Sequence, residues 1–341
     1  MKAFTITLLL VTASHLSMYS QEGTKERIQL YSKAIEGNLI GDPAERDVTV
    51  YLPPSYLSNP GKRYPVLYML HGFTDSDSQW FGWENHWINL HTVINQSLSE
   101  GLSREMIVVM PNAYNRFKGS MYASSVTIGD WETFIVKELV NYIDSNFRTL
   151  AHVKSRGLAG HSMGGYGTIR LGMKHPDIFS SIYLMSPCCL EGGVFSNKEM
   201  MEKLESFTNV EQLQGTSFFE IATLATSAAF APNPSLPPFY LDLPFAGGEL
   251  RQDIVNKITA NRILYMIDSY VPNMKTMTAI ALDAGLQDYG ISDSTRKLHE
   301  WLNTNNIPHL YESYEGDHLN RIAERIRTHV LPFFSEHLVF E

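Results

Sequence analysis

Cysteine is nearly absent from this 341-residue sequence, which contains only the adjacent Cys188 and Cys189. Neighbouring cysteines rarely meet disulfide geometry, because their side chains point apart. The pair also lacks the spacing of a metal site. A disulfide-stapled scaffold is therefore excluded, and the core must stabilise the fold, for which the chain is long enough. We predict that both thiols are packing residues that follow a strand.

Clusters of basic charge and long apolar runs are missing as well. The net charge is −9 and no Lys/Arg-rich run occurs, which argues against nucleic acid and anionic membrane surfaces as main partners. After the first twenty residues no run is long and apolar enough for a membrane helix, so we expect no stable membrane insertion. His-x-x-x-His, Cys-x-x-Cys and phosphate-loop patterns are absent, so we expect neither a metal nor another cofactor.

The first twenty residues differ from the rest. Lys2 precedes an apolar run over residues 3–13, and small and polar residues follow up to Gln21. This order is typical of a secretory signal peptide, and the apolar run is too short to span a bilayer. We therefore expect residues 1–20 to be a signal peptide cleaved after Ser20, and the protein to be exported. A buried N-terminal helix is the alternative.

From residue 21 to 341, short apolar runs alternate with helical patterns. This alternation predicts an α/β fold with a mostly parallel central sheet flanked by helices. The first two strands should form an antiparallel edge, joined through Gly41-Asp42-Pro43. The predicted strands are 28–35, 48–52, 65–70, 106–110, 157–160, 181–185, 276–282 and 309–314. The predicted helices are 87–98, 131–147, 163–174, 292–303 and 319–334.

One segment, from about residue 190 to 273, interrupts the alternation. It shows no clear strand, and residues 229–243 are rich in proline and aromatics. Long insertions in compact folds are often lids, so we expect a cap over the active-site edge of the sheet. Phe239 and Tyr240 would then line an apolar wall for substrate. A peripheral decoration without substrate contact is the alternative.

The segment Gly160-His161-Ser162-Met163-Gly164-Gly165 carries the clearest chemistry. It lies between a predicted strand and a predicted helix, which is the context of the Gly-x-Ser-x-Gly nucleophile elbow. The glycines allow a sharp turn, and the turn raises the hydroxyl above the carboxyl edge of the sheet. We therefore predict that Ser162 is a nucleophile, and that the neighbouring His161 is a packing residue.

A serine nucleophile needs a histidine base and an orienting carboxylate. In the fold that carries this elbow, they follow it in the order serine, acid, histidine. Of twelve histidines, His318 is the one placed between a late strand and the final helix. Asp288 lies in a turn-rich loop after the preceding strand and is the expected acid. Asp283 at the strand end is its rival, and Asp293 is expected to cap the next helix.

Acyl transfer also requires donors for a tetrahedral oxyanion. The backbone N–H of Met163, directly after the nucleophile, should be one donor. Phe73 in the loop His71-Gly72-Phe73-Thr74 should supply the other, with Thr74 as the fallback. Trp80, Trp83 and Trp87 follow this loop, and the first two are candidates for an aromatic substrate wall. Ordinary packing under the loop is the alternative.

Together these motifs resemble the putative-esterase family of α/β-hydrolases. The likeness rests on Tyr64–Gly72, Trp131–Phe134 with Glu138-Leu139, Gly160–Gly165 and Gly316–His318. The family includes feruloyl and acetyl-xylan esterases, enterochelin esterases, S-formylglutathione hydrolases and mycolyltransferases. The resemblance implies an α/β-hydrolase fold, an acid in a Gly-x-x-Asp turn, which falls on Asp288, and oxyanion donors at Phe73 and Met163. The long insertion departs from the family pattern.

The resemblance and the expected export together imply an exported serine carboxylic-ester hydrolase that acts through an acyl-enzyme. Export argues against formylglutathione hydrolysis, which is an intracellular task. A feruloyl- or acetyl-type esterase acting on carbohydrate side chains is expected, with a small-molecule or carbohydrate-linked ester as substrate. A siderophore esterase or an acyltransferase is the alternative, and a non-catalytic binding module is a third hypothesis. The sequence does not fix the oligomeric state.

Overall fold

The computed structural model describes residues 22–192 and 197–341. The predicted signal peptide, residues 1–20, lies outside the described residues.

An eight-stranded sheet forms the centre of the fold. Its strands are β1 Thr24–Tyr31, β2 Glu45–Leu52, β3 Val66–Leu70, β4 Ile107–Pro111, β5 Arg156–His161, β6 Ser181–Met185, β7 Ala279–Gly285 and β8 Leu310–Tyr314. Their order across the sheet is β1-β2-β4-β3-β5-β6-β7-β8. β1 is antiparallel to β2, and β2 is antiparallel to β4, whereas every later pair is parallel. The predicted antiparallel edge and mostly parallel sheet are therefore confirmed.

The first strand begins four residues earlier than predicted. The sequence pattern favoured 28–35, but Thr24 pairs with Leu52 and Tyr31 with Glu45. The strand ends there because the side chain of Glu138 accepts hydrogen bonds from Ser32 Oγ and Ala34 N–H, which turns the chain away. Pairing between strands thus overrode the local apolar pattern.

Helices cover both faces of the sheet. α1 begins at Leu90, not at 87 as predicted, because the Asn89 side chain caps Thr92 N–H. α2 and α8 each contain a π-helical segment. The long helices are α1 Leu90–Ser99, α2 131–146, α3 Met163–Lys174, α4 Lys198–Glu205, α5 Phe218–Phe230, α6 Gln252–Thr259, α7 Ile291–Thr304 and α8 322–337. Shorter helical turns are Ser55–Ser58, Asp77–Trp80, Val153–Ser155, Val210–Gly215, Ile263–Met266, Ile267–Tyr270 and Val271–Met274.

Two apolar clusters fill the space between the sheet and its helices. Side chains of α2, α3 and α7 pack on one face, and those of α1 and α8 pack on the other. The central strands β3 to β6 are buried along their whole length, as expected for parallel strands covered on both sides. This arrangement fixes the carboxyl ends of β5, β7 and β8 at one edge of the sheet, where ligands bind in such folds.

The segment between β6 and β7 is mainly helical in its described residues. It contains α4, α5 and α6, shorter helical turns and a two-residue ribbon that pairs Phe245–Ala246 with Glu249–Leu250. It packs on α3, where the Tyr166 hydroxyl donates to the Asn261 carbonyl, 2.8 Å away. No helix of residues 22–192 and 197–341 has the length and apolarity to cross a bilayer.

Candidate active site

Ser162 occupies a sharp turn between β5 and α3. Its φ is 58° and its ψ −115°, a conformation that costs free energy for any residue with a side chain and that clusters at functional sites. Glycine is required at position 164, because a Cβ there would collide with the Leu70 carbonyl. The turn therefore lets α3 begin close to β3, with the serine at its N-terminus.

An unbroken hydrogen-bond chain joins the three predicted triad residues. Ser162 Oγ lies 2.9 Å from His318 Nε2, and His318 Nδ1 lies 2.7 Å from Asp288 Oδ2. The carboxylate can only accept, so Nδ1 carries the proton and Nε2 is free to accept the serine proton. The side chain of His318 is 33% exposed and that of Asp288 only 8%, so the hydrogen-bond chain runs from the solvent-facing base to a buried carboxylate.

The loops after β7 and β8 are fastened to each other, which brings the acid and the base together. Gln287 N–H donates to the Gly316 carbonyl over 3.0 Å, and Gly316 N–H donates to Gln287 Oε1 over 2.6 Å. The loops can approach this closely because Gly285 has no Cβ, which would clash with that same carbonyl. Asp288 N–H closes the turn on the Gly285 carbonyl at 3.0 Å.

His161 holds the backbone of the base. Its Nε2 donates to the His318 carbonyl over 2.8 Å, and the two rings lie 4.6 Å apart between centroids. Trp80 and Trp87 each pack 6.0 Å from its ring. Burial, reinforced by the neighbouring His318, lowers the pKa of His161 to about 3. His161 is therefore a neutral donor, a role beyond the packing predicted for it.

The loop after β3 lies directly against the nucleophile. A Cβ on Gly72 would stand 3.6 Å from Ser162 Cβ. His71 holds this loop in place, because its Nε2 accepts a hydrogen bond from Ala113 N–H at 2.9 Å. Thr74 N–H is already engaged by the Lys118 carbonyl at 2.9 Å, which removes the fallback oxyanion donor.

Phe73 and Met163 remain as the candidate oxyanion donors. Met163 N–H lies in the first turn of α3, where backbone N–H groups have no intrahelical acceptor. Phe73 N–H has no acceptor among residues 22–192 and 197–341. The positive end of the α3 dipole adds to the attraction for negative charge at this point. The arrangement can hold a tetrahedral oxyanion above Ser162.

Residues 43–220 match the protein family described as "Putative esterase", which is more than half of the chain. This chain belongs to that family. An esterase of Mycobacterium tuberculosis is 35% identical to this chain over 136 positions, which make up 39% of this chain and 27% of that protein. An endo-1,4-beta-xylanase/feruloyl esterase of Xylanibacter ruminicola is 31% identical over 158 positions, 45% of this chain and 20% of that protein.

Solved structures share the fold of this family member. A ferulic acid esterase superposes with a TM-score of 0.65 at 21% identity, over 93% of this chain and 99% of the other. An S-formylglutathione hydrolase of Staphylococcus aureus superposes with a TM-score of 0.59 at 18% identity, over 92% and 99%. The predicted α/β-hydrolase fold is therefore confirmed. The chain matches only about a quarter of the length of the curated relatives.

Both rivals of Asp288 have other partners. Asp283 is fully buried inside β7, where its carboxylate accepts from the Tyr183 hydroxyl at 2.8 Å and from Arg325 Nε at 2.9 Å. Burial raises its pKa to about 6 in spite of Arg325. Asp293 lies in the first turn of α7 and pairs with Arg296 at 3.8 Å; the N-cap of that helix is Gly290.

The predicted tryptophan wall is not present. Trp80 is completely buried, and its indole N–H donates to Asp75 Oδ2 at 2.9 Å. Trp83 stands at the antiparallel edge of the sheet, where its N–H donates to Thr49 and Lys25 lies over its ring. The alternative interpretation, ordinary packing under a loop, describes Trp80, because its large apolar ring fills the space beneath His161.

Phe239 and Tyr240, predicted to line a substrate wall, differ in their exposure. Phe239 is 9% exposed and packs against Phe207, with ring centroids 6.4 Å apart. The proline-rich stretch is closed by a hydrogen bond from Asn233 N–H to the Tyr240 carbonyl at 2.8 Å. That closure turns Phe239 into the interior of the insertion. Tyr240 is partly exposed, and its carbonyl also accepts from Thr127 Oγ1.

Two phenylalanines that the sequence reasoning missed reach the site from the insertion. Phe218 packs edge-on against Phe73, with centroids 5.6 Å apart, and Phe219 packs against Phe218 at 5.5 Å. They are 58% and 53% exposed. The detectable signal was the capping box formed by Ser217 and Glu220, which fixes the helix start and leaves two aromatics on its first turn.

The described parts of the chain show no cluster of three or more His, Cys, Asp or Glu side chains arranged for a metal ion.

Proposed function

We propose that this chain is an exported serine carboxylic-ester hydrolase that acts through an acyl-enzyme on Ser162. Its substrates are feruloyl- or acetyl-type esters on carbohydrate side chains. The hydrogen-bond chain from Ser162 through His318 to Asp288, with distances of 2.9 and 2.7 Å, is the observation that carries the proposal. Membership of the "Putative esterase" family supports the same chemistry.

In the first half-reaction, His318 Nε2 takes the proton of Ser162 as Oγ attacks the ester carbonyl. Asp288 stabilises the imidazolium that forms and fixes its orientation. The N–H groups of Phe73 and Met163 receive the oxyanion. Collapse of the tetrahedral species expels the alcohol, which takes the proton from His318. Water then attacks the acyl-enzyme while His318 takes one of its protons. Ser162 leaves with that proton, and the acid is released.

An aromatic acyl group fits the aromatic side chains beside the site. Phe73, Phe218 and Phe219 form a continuous set of edge-on ring contacts next to the oxyanion loop. Exposed aromatic surface of this kind is suited to a feruloyl ring. A relative from Xylanibacter ruminicola is described as a feruloyl esterase in part. Export is supported by the order of charge and apolar residues in positions 1–20.

A substrate panel tests this proposal. We expect hydrolysis of methyl ferulate, acetylated xylan and short 4-nitrophenyl esters, with the highest kcat/KM among these for one of the first two. Preferential hydrolysis of a catecholate siderophore would select the siderophore esterase instead. A sugar ester that accumulates in place of free acid would select the acyltransferase. Failure of a fluorophosphonate probe to label Ser162 would leave the non-catalytic binding module.

Export has its own test. The full chain expressed with its first twenty residues in a Gram-negative host should appear in the periplasm or medium with a new N-terminus near Gln21. A cytoplasmic protein that keeps Lys2 would contradict export and leave the esterase chemistry untouched.

A further inference from the structure

Two thiols lie in contact beside the nucleophile, and the proposed esterase chemistry does not use them. The Sγ atoms of Cys188 and Cys189 are 2.7 Å apart, and both residues are partly exposed. Cys188 N–H donates to the Ser162 carbonyl at 3.1 Å. One hydrogen bond therefore links the backbone of the thiol pair to that of the nucleophile.

Arg262 supplies a positive charge to this pair. Its guanidinium interacts electrostatically with Cys189, and its Nε is buried without a partner among the described residues. The hydrogen bond from Cys188 lowers the pKa of Cys189, and Arg262 lowers it further, whereas the same thiol–thiol contact raises the pKa of Cys188. Cys189 is therefore the more acidic of the two thiols, and the thiolate form of such a cysteine is the one that reacts with disulfides.

We propose that Cys188 and Cys189 are a reversible redox site, which low-molecular-weight disulfides oxidise to a vicinal disulfide, and that this closure lowers the activity of Ser162. The thiolate of Cys189 attacks one sulfur of the disulfide RSSR and forms a mixed disulfide, with release of one thiolate. The Cys188 thiol gives its proton to that thiolate and attacks Cys189 Sγ. The second RS group leaves and takes up a proton from solvent. Two protein thiols are oxidised and one RSSR is reduced to two RSH.

Closure must move the backbone. Consecutive Cα atoms across a trans peptide are about 3.8 Å apart, shorter than the roughly 4.4 Å minimum of ordinary disulfides. A ring formed under this constraint is strained, and strained disulfides are the easily reduced, regulatory ones. Cys189 already has a φ of 62°. Because Cys188 N–H holds the Ser162 carbonyl, a shift at 188–189 is transmitted to the nucleophile.

The test treats the purified full chain with oxidised glutathione and measures intact mass together with hydrolysis of a 4-nitrophenyl ester. We expect the wild type to lose two hydrogen atoms without a lasting adduct. Its kcat should fall on the order of 10- to 100-fold, as expected for a small misplacement of reacting groups. Dithiothreitol should restore both mass and rate.

Two single variants separate the steps. Cys188→Ser should retain the glutathione adduct on Cys189, because the resolving thiol is absent. Cys189→Ser should show neither adduct nor loss of hydrogen, and its activity should not respond to oxidised glutathione. Both variants keep the triad, so their untreated activity should be close to that of the wild type.

Two results would overturn the proposal: a wild-type mass that does not change under oxidised glutathione, or a closed disulfide with unchanged kcat. The activity part rests on the proposed esterase function, and the two can fail separately. An untreated wild type without esterase activity would reject that function, together with the effect proposed on it, whereas the mass measurement would still decide the thiol chemistry. An active enzyme whose mass and kcat do not change with oxidised glutathione would reject only the redox site.

Discussion

At the scale of single residues, the choice between two aspartates decides the mechanism. Asp283 and Asp288 follow each other closely in sequence, but one is held inside β7 by Arg325 and the other reaches His318. Asp288→Asn should lower kcat about a thousandfold or more, since the imidazole loses its anion and can adopt the wrong tautomer. Steady-state kinetics on a 4-nitrophenyl ester measure this loss.

Asp283→Asn is the matched control. It removes the same charge from the same strand region, but it breaks the contacts with Arg325 and Tyr183 instead of the contact with the base. Its expected effect is a lower unfolding temperature with a kcat within a few-fold of wild type. If Asp283→Asn abolished turnover in a folded protein while Asp288→Asn did not, the assignment of the acid would be reversed.

His161 gives a prediction on stability against pH. Its folded pKa of about 3 lies below the ordinary value of 6.5, so the unfolded chain binds a proton between these values and the folded chain does not. The contribution of neutral His161 to the free energy of unfolding is therefore complete above about pH 6.5 and is lost as the pH falls below that value. The loss reaches up to about 1.4 kcal/mol per pH unit.

The variant His161→Phe should not suffer this loss. Urea unfolding of both proteins at intervals from about pH 7 to about pH 4.5 should show the difference in unfolding free energy shrinking as the pH falls. Parallel curves for the two proteins would contradict the assignment of His161 as a buried neutral ring. All other titrating groups are present in both chains.

At the scale of secondary-structure elements, the N-terminus of α5 should control the choice of acyl group. Phe218 contacts Phe73 beside the oxyanion loop, whereas Phe239 is buried against Phe207. Phe218→Ala should lower kcat/KM for methyl ferulate about 10- to 200-fold more than for an acetyl ester, the range for losing one contact in an apolar pocket.

Phe239→Ala serves as the control for this prediction. It should lower thermal stability, because it leaves a cavity in the insertion, and it should keep the ratio of the two kcat/KM values unchanged. If Phe218→Ala left the ratio of the two kcat/KM values unchanged, α5 would have a structural role only and no contact with the acyl group. Equal losses on both esters would show that the helix positions the catalytic loops.

The same elements show what sequence alone can predict. The turn at Ser162 and the strand 181–185 carry strong local signals, and α3 begins and ends where its pattern predicts. Asp288 follows from a loop pattern and the family likeness. The partners of Trp80, Phe218 and Phe239 could not be predicted, because long-range packing in the insertion decides which aromatics are exposed. The carbonyl contact of His161 likewise depends on how two distant loops meet.

At the scale of the whole molecule, the parallel order of β5, β6, β7 and β8 places serine, acid and base at one edge of the sheet. The alternation of strand and helix signals predicted this topology, since parallel strands need helical crossovers. Its antiparallel edge was also predicted, with the first strand shifted by four residues. The internal structure of the 190–273 segment was not, because its helices are short and are separated by turns and a proline-rich stretch.

The central claim is that Ser162 forms an acyl-enzyme, and its most direct test is mass spectrometry of the protein mixed rapidly with a 4-nitrophenyl ester, alongside the turnover of Ser162→Ala. We predict an acyl adduct on Ser162 in the wild type. In the variant we predict no adduct and a fall in kcat on the order of a millionfold, as for other triad nucleophiles. A folded Ser162→Ala protein that retains turnover within tenfold of wild type would contradict the account.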